Sequence, residues 1–137
     1  MSDYRAPIED MHFVMDELAN LPDIARLPGF EEATPDMADA ILEEAAKFTG
    51  EVLAPLNAIG DREGCRWQNG AVSTPPGWKE AYRQYCEGGW NGIACSPAFG
   101  GQGLPNALAV AVKEMVCSAN LAFSVCPLLT TGAIEAL

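Results

Sequence analysis

Few residues in this sequence have types and spacings that could do chemistry. The most conspicuous are the glycines of "SPAFGGQGLP", residues 96 to 105. A glycine turn can cradle phosphate, because its backbone N–H groups converge on an anion. A dinucleotide site, however, needs G-x-G-x-x-G directly after a buried strand and opening a helix. Gly100-Gly101-Gln102-Gly103-Leu104-Pro105 departs from that spacing, and the Gly-Lys-Ser/Thr ending of a Walker loop is missing. "GIACS", just upstream, is too short and too glycine-flanked for a parallel strand. The residues predict a turn between helices that needs positive φ.

The remaining reactive groups are scattered. Five cysteines, at 65, 86, 95, 117 and 126, include no C-x-x-C, and the single histidine, His12, is distant, so no zinc site is expected. Cys126 precedes Pro127 at what reads as a helix start, where a thiolate is favoured. With no base or cation beside it, packing is the expected role. Ser96 and Ser118 have no neighbouring histidine to activate them. Glu114 lies off the apolar face of its helix beside Lys113 and reads as solvated, and His12 as a surface or packing residue. These residues assemble no self-contained active site.

The elements that must position these groups are those of an all-α chain. Its 137 residues suffice for one compact domain, which buries roughly 70% of its unfolded surface. Apolar residues make up 49%, enough for a core. The net charge of −11 lies entirely in residues 1–64, which hold 15 acids and 4 bases; residues 65–137 hold 4 of each. An acidic front half without a basic stripe argues against nucleic acid and anionic membranes, and for a solvated outer face. No apolar run reaches the ~20 residues of a membrane span, and the start lacks a basic, then apolar, leader. A reducing cytoplasm holding free thiols is the expected compartment.

"APIEDMHFVMDELANLP" predicts a short helix with Pro7 in its first turn and Met11, Met15 and Leu18 on one face. Pro22, Pro28 and Gly29 predict a linker. "TPDMADAILEEAAKFTGEVLAPLNAIGD" carries the strongest helix signal. Thr34 caps it, Pro35 starts it, and Met37, Ile41, Ala45, Phe48, Val52, Leu56 and Ile59 form a buried stripe that Pro55 kinks without ending. Asn69-Gly70 predicts a small hairpin near 65–73. A helix follows, capped by Ser73 or Thr74, with Trp78, Tyr82 and Tyr85 inward and Gly88-Gly89 as its stop. "PNALAVAVKEMVCSAN" predicts the next, with Leu108, Val112, Met115 and Val116 facing a core. "FSVCPLLTTGAIEAL" opens a last one. Leu137 falls inside a continuing apolar pattern with no capping residue behind it, so the chain reads as cut there.

This order of segments resembles the amino-terminal helical domain of acyl-CoA dehydrogenases. That pattern places a proline late in a long helix, then an aspartate–x–x–glycine turn, matched here by Pro55, Asp61 and Gly64. It continues with glycine–tryptophan–x–glycine, here Gly89, Trp90 and Gly92. A proline–x–aromatic–glycine–glycine–x–glycine loop follows, here Pro97, Phe99, Gly100, Gly101 and Gly103. Then comes a helix bearing a glutamate and a hydrophobic residue, here Glu114 and Met115. The match covers about residues 35–137, and its specificity lies in the combination. "YRAPIEDMHFVMDEL" is similar to the extra helix of longer bacterial members. With "RWQNGAVSTPPGWKEAY" and "FGGQGLP", it points to a branch acting on a short thioether acyl-CoA from dimethylsulfoniopropionate breakdown.

The resemblance implies an up-down helical domain at 34–137 behind an extension at 1–33, truncated before a middle β-domain. It implies a flavoprotein oxidoreductase of fatty-acid-type metabolism. A glutamate takes the acyl-CoA α-proton, the β-hydrogen passes as hydride to FAD, and an electron-transfer flavoprotein accepts the electrons. In the family that glutamate and most FAD contacts lie in later domains, so no catalytic, metal or cofactor-binding residue is assigned here. The family also forms homo-oligomers. Phe123, Ser124, Cys126, Leu128 and Leu129 occupy the place where family members line the acyl tail, and they are the candidate substrate-binding residues. The competing reading is a free-standing acidic helical interaction module.

Overall fold

The computed structural model describes residues 4–136, so the expected domain limits at Met1 and Leu137 lie outside the described residues. The chain is mostly helical (67%), with one two-stranded sheet. Helix α1 (Ile8–Phe13) passes into a π-helical turn (Val14–Leu18) and is followed by the single turn α2 (Leu21–Ile24). Pro22 therefore sits in the first turn of a short helix, within the segment expected to be a linker. Met11 and Met15 are buried as expected. Leu18 is not, because the wider π turn carries it off the face that the other two share.

Helix α3 (Pro35–Phe48), a π turn (Thr49–Leu53) and α4 (Ala54–Glu63) run on without a break. The Thr34 hydroxyl accepts the Met37 N–H at 3.2 Å, an N-cap of the expected kind. The π turn ends just before Pro55, where the ring removes one N–H and crowds the preceding turn. The buried face differs from the expected stripe. Ala38, Leu42, Ala45, Thr49, Leu53 and Ala54 are its centre, while Ile41, Phe48, Val52 and Leu56 flank it and Met37 is exposed. Small residues at the centre let helices approach closely. Thr49 can be fully buried because its hydroxyl donates to the Ala45 carbonyl at 2.8 Å.

Strands β1 (Arg66–Gln68) and β2 (Ala71–Ser73) pair antiparallel about Asn69-Gly70, both at positive φ (51° and 80°), as a type I′ turn demands. Ser73 thus belongs to the ribbon. Helix α5 (Trp78–Glu87) starts instead after Gly77, whose left-handed backbone (φ 84°) makes the entry without a side-chain cap. It ends at Gly88, with Gly89 left-handed behind it. Helix α6 (Asn106–Ala119) buries Leu108, Ala111, Val112, Met115, Val116 and Ala119, one face at helical spacing, and packs on α3 and its π turn.

Helix α7 (Leu121–Ala136) packs on α6 and α4, and it starts earlier than expected. Cys126 and Pro127 therefore lie inside it rather than at its start. What begins α7 is Asn120, fully buried with an extended backbone. Its Oδ1 accepts the Phe123 N–H at 3.0 Å, and its Nδ2 donates to the Leu53 carbonyl at 3.2 Å. One side chain caps a helix and ties it to the α3–α4 junction. Asn120→Ala removes both bonds and leaves the buried Phe123 N–H without its cap, so urea unfolding is expected to show a loss of about 2–4 kcal/mol. An exposed cap removed by Thr34→Ala should cost about 1 kcal/mol.

Candidate functional site

Phe123 is 2% exposed and sits inside an aromatic cluster. Its ring centroid lies 6.1 Å from Trp78, 6.3 Å from Tyr82 and 5.7 Å from Tyr85. Helix α5 presents those three rings at i, i+4 and i+7, one face of a helix. Phe48 extends the cluster, 6.2 Å from both Tyr85 and Trp90. Ser124 is also buried, its hydroxyl donating to the Leu121 carbonyl at 2.7 Å. Cys126, Leu128 and Leu129 are exposed, Leu129 at 72%; Leu128 and Leu129 lie away from Phe123 on α7, and Cys126, three residues on from Phe123, lies at the edge of its face. The five candidate substrate-binding residues are thus divided between core and surface. Leu128 and Leu129 join Leu121 and Val125 in an exposed apolar flank along α7.

The glycine loop is a folded turn. Gly100 and Gly103 take positive φ (85° and 67°), and a side chain at Gly101 would run into the Cys95 carbonyl. The N–H groups of Gly101, Gln102, Gly103 and Leu104 donate at 2.9–3.1 Å to the carbonyls of Ser96, Gly92, Cys95 and Ile93. With its donors occupied internally, the loop does not fit the pyrophosphate of a flavin or any other dinucleotide. Phe99, at its tip, is 92% exposed.

Elsewhere the isolated groups behave as surface residues. His12 Nδ1 stands 3.0 Å from Asp39 Oδ1, linking α1 to α3. Glu114 is exposed. An open groove of about 530 Å³ between residues 4–8 and α3 is edged by Arg5, Glu43, Lys47 and Glu51. Its charges alternate in sign, which suits no single ionic ligand. Among the described residues, no three His, Cys, Asp or Glu side chains gather as a metal would require, and no helix is long and apolar enough to cross a membrane.

Sequence reading missed one grouping. Cys86, one turn further along α5, then partial burial, then Cys126 on α7 raise the pKa of Tyr82. The i, i+4 spacing of Tyr82 and Cys86 was visible; the approach of Cys126 depends on where α7 starts. Burial pushes the Tyr85 phenol up to about 12, with Cys86, Tyr82 and Cys117 adding to it.

Two outcomes follow. Phe123→Ala is expected to cost about 3–5 kcal/mol in urea unfolding, whereas Leu129→Ala should cost under about 0.5 kcal/mol. As pH rises past the ordinary phenol value of 10.0, the unfolded chain loses the Tyr85 proton while the folded chain keeps it up to about 12. Stability is therefore complete below pH 10 and falls between these values, as urea midpoints measured across that window will report.

No protein-family model matches the chain. Curated proteins do. A 3-methylmercaptopropionyl-CoA dehydrogenase of Ruegeria pomeroyi is 44% identical over 134 residues, 98% of this chain and 23% of the relative. The broad-specificity linear acyl-CoA dehydrogenase FadE5 of Mycobacterium tuberculosis is 26% identical over 122 residues, 88% of this chain and 20% of the relative. The chain spans less than a quarter of the length of either. The match to the first falls in its N-terminal part, and the chain is thereby a homologue of the N-terminal part of acyl-CoA dehydrogenases.

Proposed function

We propose that this chain is the amino-terminal α-domain of a flavin-dependent acyl-CoA dehydrogenase. In this reading residues 34–137 form the domain, residues 1–33 form an extension, and α7 supplies one wall of the acyl slot. The observation that carries the reading is 44% identity across 98% of the chain to a 3-methylmercaptopropionyl-CoA dehydrogenase. A short thioether acyl-CoA is therefore the proposed substrate, α,β-dehydrogenation the proposed reaction, and an electron-transfer flavoprotein the proposed acceptor. Homo-oligomerisation and a cytoplasmic location belong to the same reading.

Within that enzyme the described residues would shape and dry the slot. Cys126, Leu128 and Leu129 offer an apolar, partly sulfur-bearing surface suited to a thioether tail. Phe123 and Ser124 act behind them, fixing the helix that carries them. The glycine loop does not fit the phosphates of FAD, since its N–H donors are occupied internally. The cofactor and the base that takes the α-proton are assigned to other parts of the longer protein. The apolar flank of α7 supports this reading, because such a surface is costly to leave in water.

Expression of the complete reading frame that contains this chain tests the proposal. The expected product is yellow, releases flavin on denaturation, and reduces an electron-accepting dye when given 3-methylmercaptopropionyl-CoA. A colourless product inert toward acyl-CoA thioesters overturns the reading. Leu129→Ala in that protein should lower kcat/KM for the preferred thioester about 10-fold while leaving the unfolding midpoint in place; an unchanged kcat/KM removes Leu129 from the slot.

A further inference from the structure

The π turn after α1 turns an apolar side chain out into water. Continued α-helical winding from Ile8 would return Leu18 to the side of Met11 and Met15, which precede it by seven and three residues. Instead the Ala19 N–H donates to the Val14 carbonyl at 2.8 Å, a bond spanning five residues. The wider turn brings Leu18 round beside Val14 and one π turn on from Phe13. Leu18 is 72% exposed and Phe13 61%, and Val14 is exposed with them. Met11 and Met15 are buried on the opposite side, and the His12 Nδ1 stands 3.0 Å from Asp39 on α3. Phe13, Val14 and Leu18 therefore form an apolar seam that faces away from the core.

The charges beside the seam have one sign. Asp10 precedes Phe13 and Val14 by three and four residues, and Glu17 follows Val14 and Phe13 by the same steps, so carboxylates flank the seam at both ends. Glu9 and Asp16 are exposed beyond them. Residues 8–18 include no lysine or arginine, and Arg26, the next base along the chain, is paired with Asp23 at 2.8 Å. Such a surface selects its partner narrowly. A second copy would set Asp10 and Glu17 against their own counterparts, and nucleic acid or an anionic bilayer would meet the same repulsion. Helical backbone groups are bonded internally, so no strand can add to this element and recognition falls to side chains. A helix with one apolar stripe edged by lysine or arginine satisfies both the seam and its carboxylates, much as flanking charges choose partners in paired helices. All of the excess negative charge lies in residues 1–64, which makes this the solvated side of the chain and the partner a separate protein.

We propose that the seam of Phe13, Val14 and Leu18, flanked by Asp10 and Glu17, docks a basic amphipathic helix of a separate protein. Apolar side chains of that helix cover Phe13 and Leu18, and its cationic heads meet the two carboxylates. The seam is short, so the contact belongs to the small, transient class of interfaces and is sensitive to salt. This docking goes beyond the acyl-CoA reading and involves neither the acyl wall nor the glycine loop.

The test uses the product of the complete reading frame that contains this chain and a fluorescein-labelled helical peptide of about 18 residues, with leucines at i, i+3, i+4 and i+7 and lysines elsewhere. Anisotropy titrations are expected to show saturable binding that weakens as salt rises. Phe13→Ser and Leu18→Ser should each raise Kd about 10-fold. Val72→Ser, at an exposed apolar position on the ribbon, should leave Kd in place. Asp10→Lys combined with Glu17→Lys should abolish binding of the lysine peptide and admit its glutamate counterpart. Every substituted side chain is exposed, so the variants leave the core intact. Equal binding of a scrambled peptide of the same composition, indifference to Phe13→Ser and Leu18→Ser, an unchanged lysine preference in the charge-swapped variant, or no binding at all each overturns the proposal. A dimer in sedimentation that Leu18→Ser dissociates also overturns it, by making a second copy the occupant. No flavin or thioester enters the readout, so its failure is distinguishable from failure of the acyl-CoA reading.

Discussion

The buried side chain of Asn120 governs the arrangement of the carboxy-terminal half. Burying an amide without partners is costly, so the position is tenable only while Nδ2 reaches the Leu53 carbonyl and Oδ1 holds the Phe123 N–H. Those two bonds have separate consequences. The first sets α7 against the junction of α3 and α4, where the π turn ends. The second starts α7 at Leu121 and holds its first turn with Phe123 facing inward. A start two residues later would not by itself rotate the helix, but it would leave Phe123 outside the hydrogen-bonded turn that now seats it among Trp78, Tyr82 and Tyr85.

From that seat the rest of α7 follows. Phe123, Pro127 and Thr131 recur every four residues on the inner side, with Thr131 half-buried. Leu128 and Leu129 fall outside, and Cys126, three residues on from Phe123, lies at the edge. Beyond Pro127 little else covers the helix, and its apolar residues Leu128, Leu129 and Ile134 meet solvent. A helix that was only a structural brace would carry polar residues there. The combination of one side locked by rings and the other bare and apolar suits the proposed acyl wall, because a wall must be held from behind while presenting a surface in front.

How much of this was legible in the residues varied with the strength of the local signal. Thr34-Pro35, Asn69-Gly70 and Gly88-Gly89 act through backbone geometry that only a few residue types satisfy, and the corresponding cap, turn and stop are where the residues indicate. The glycine loop was readable as a turn for the same reason. The face of the long α3–α4 helix was read about one residue off, because hydrophobic periodicity weights Met37 and Ile41 above Ala38 and gives Thr49 no credit. Burial of Thr49 depends on a bond to its own helix that no periodicity registers. Asn120 carried a signal that went unused, an Asn immediately before an apolar run. The influence of Cys126 on Tyr82 was beyond reach, since it requires the packing of two helices and not the pattern of either.

The charge distribution closes the argument about which side of the molecule is finished. All of the net charge of −11 lies in residues 1–64, and residues 65–137 are balanced. The acidic half surrounds α1 to α4, whose carboxylates sit exposed and keep that side in water. The balanced half holds α6 and α7, and on α7 Leu121, Val125 and Leu129 are exposed apolar residues. Self-repulsion discourages association on one side, and the balance of charge removes that penalty on the other. Solvation therefore distinguishes an outward face from one suited to meeting an apolar partner, whether a thioester tail or further protein.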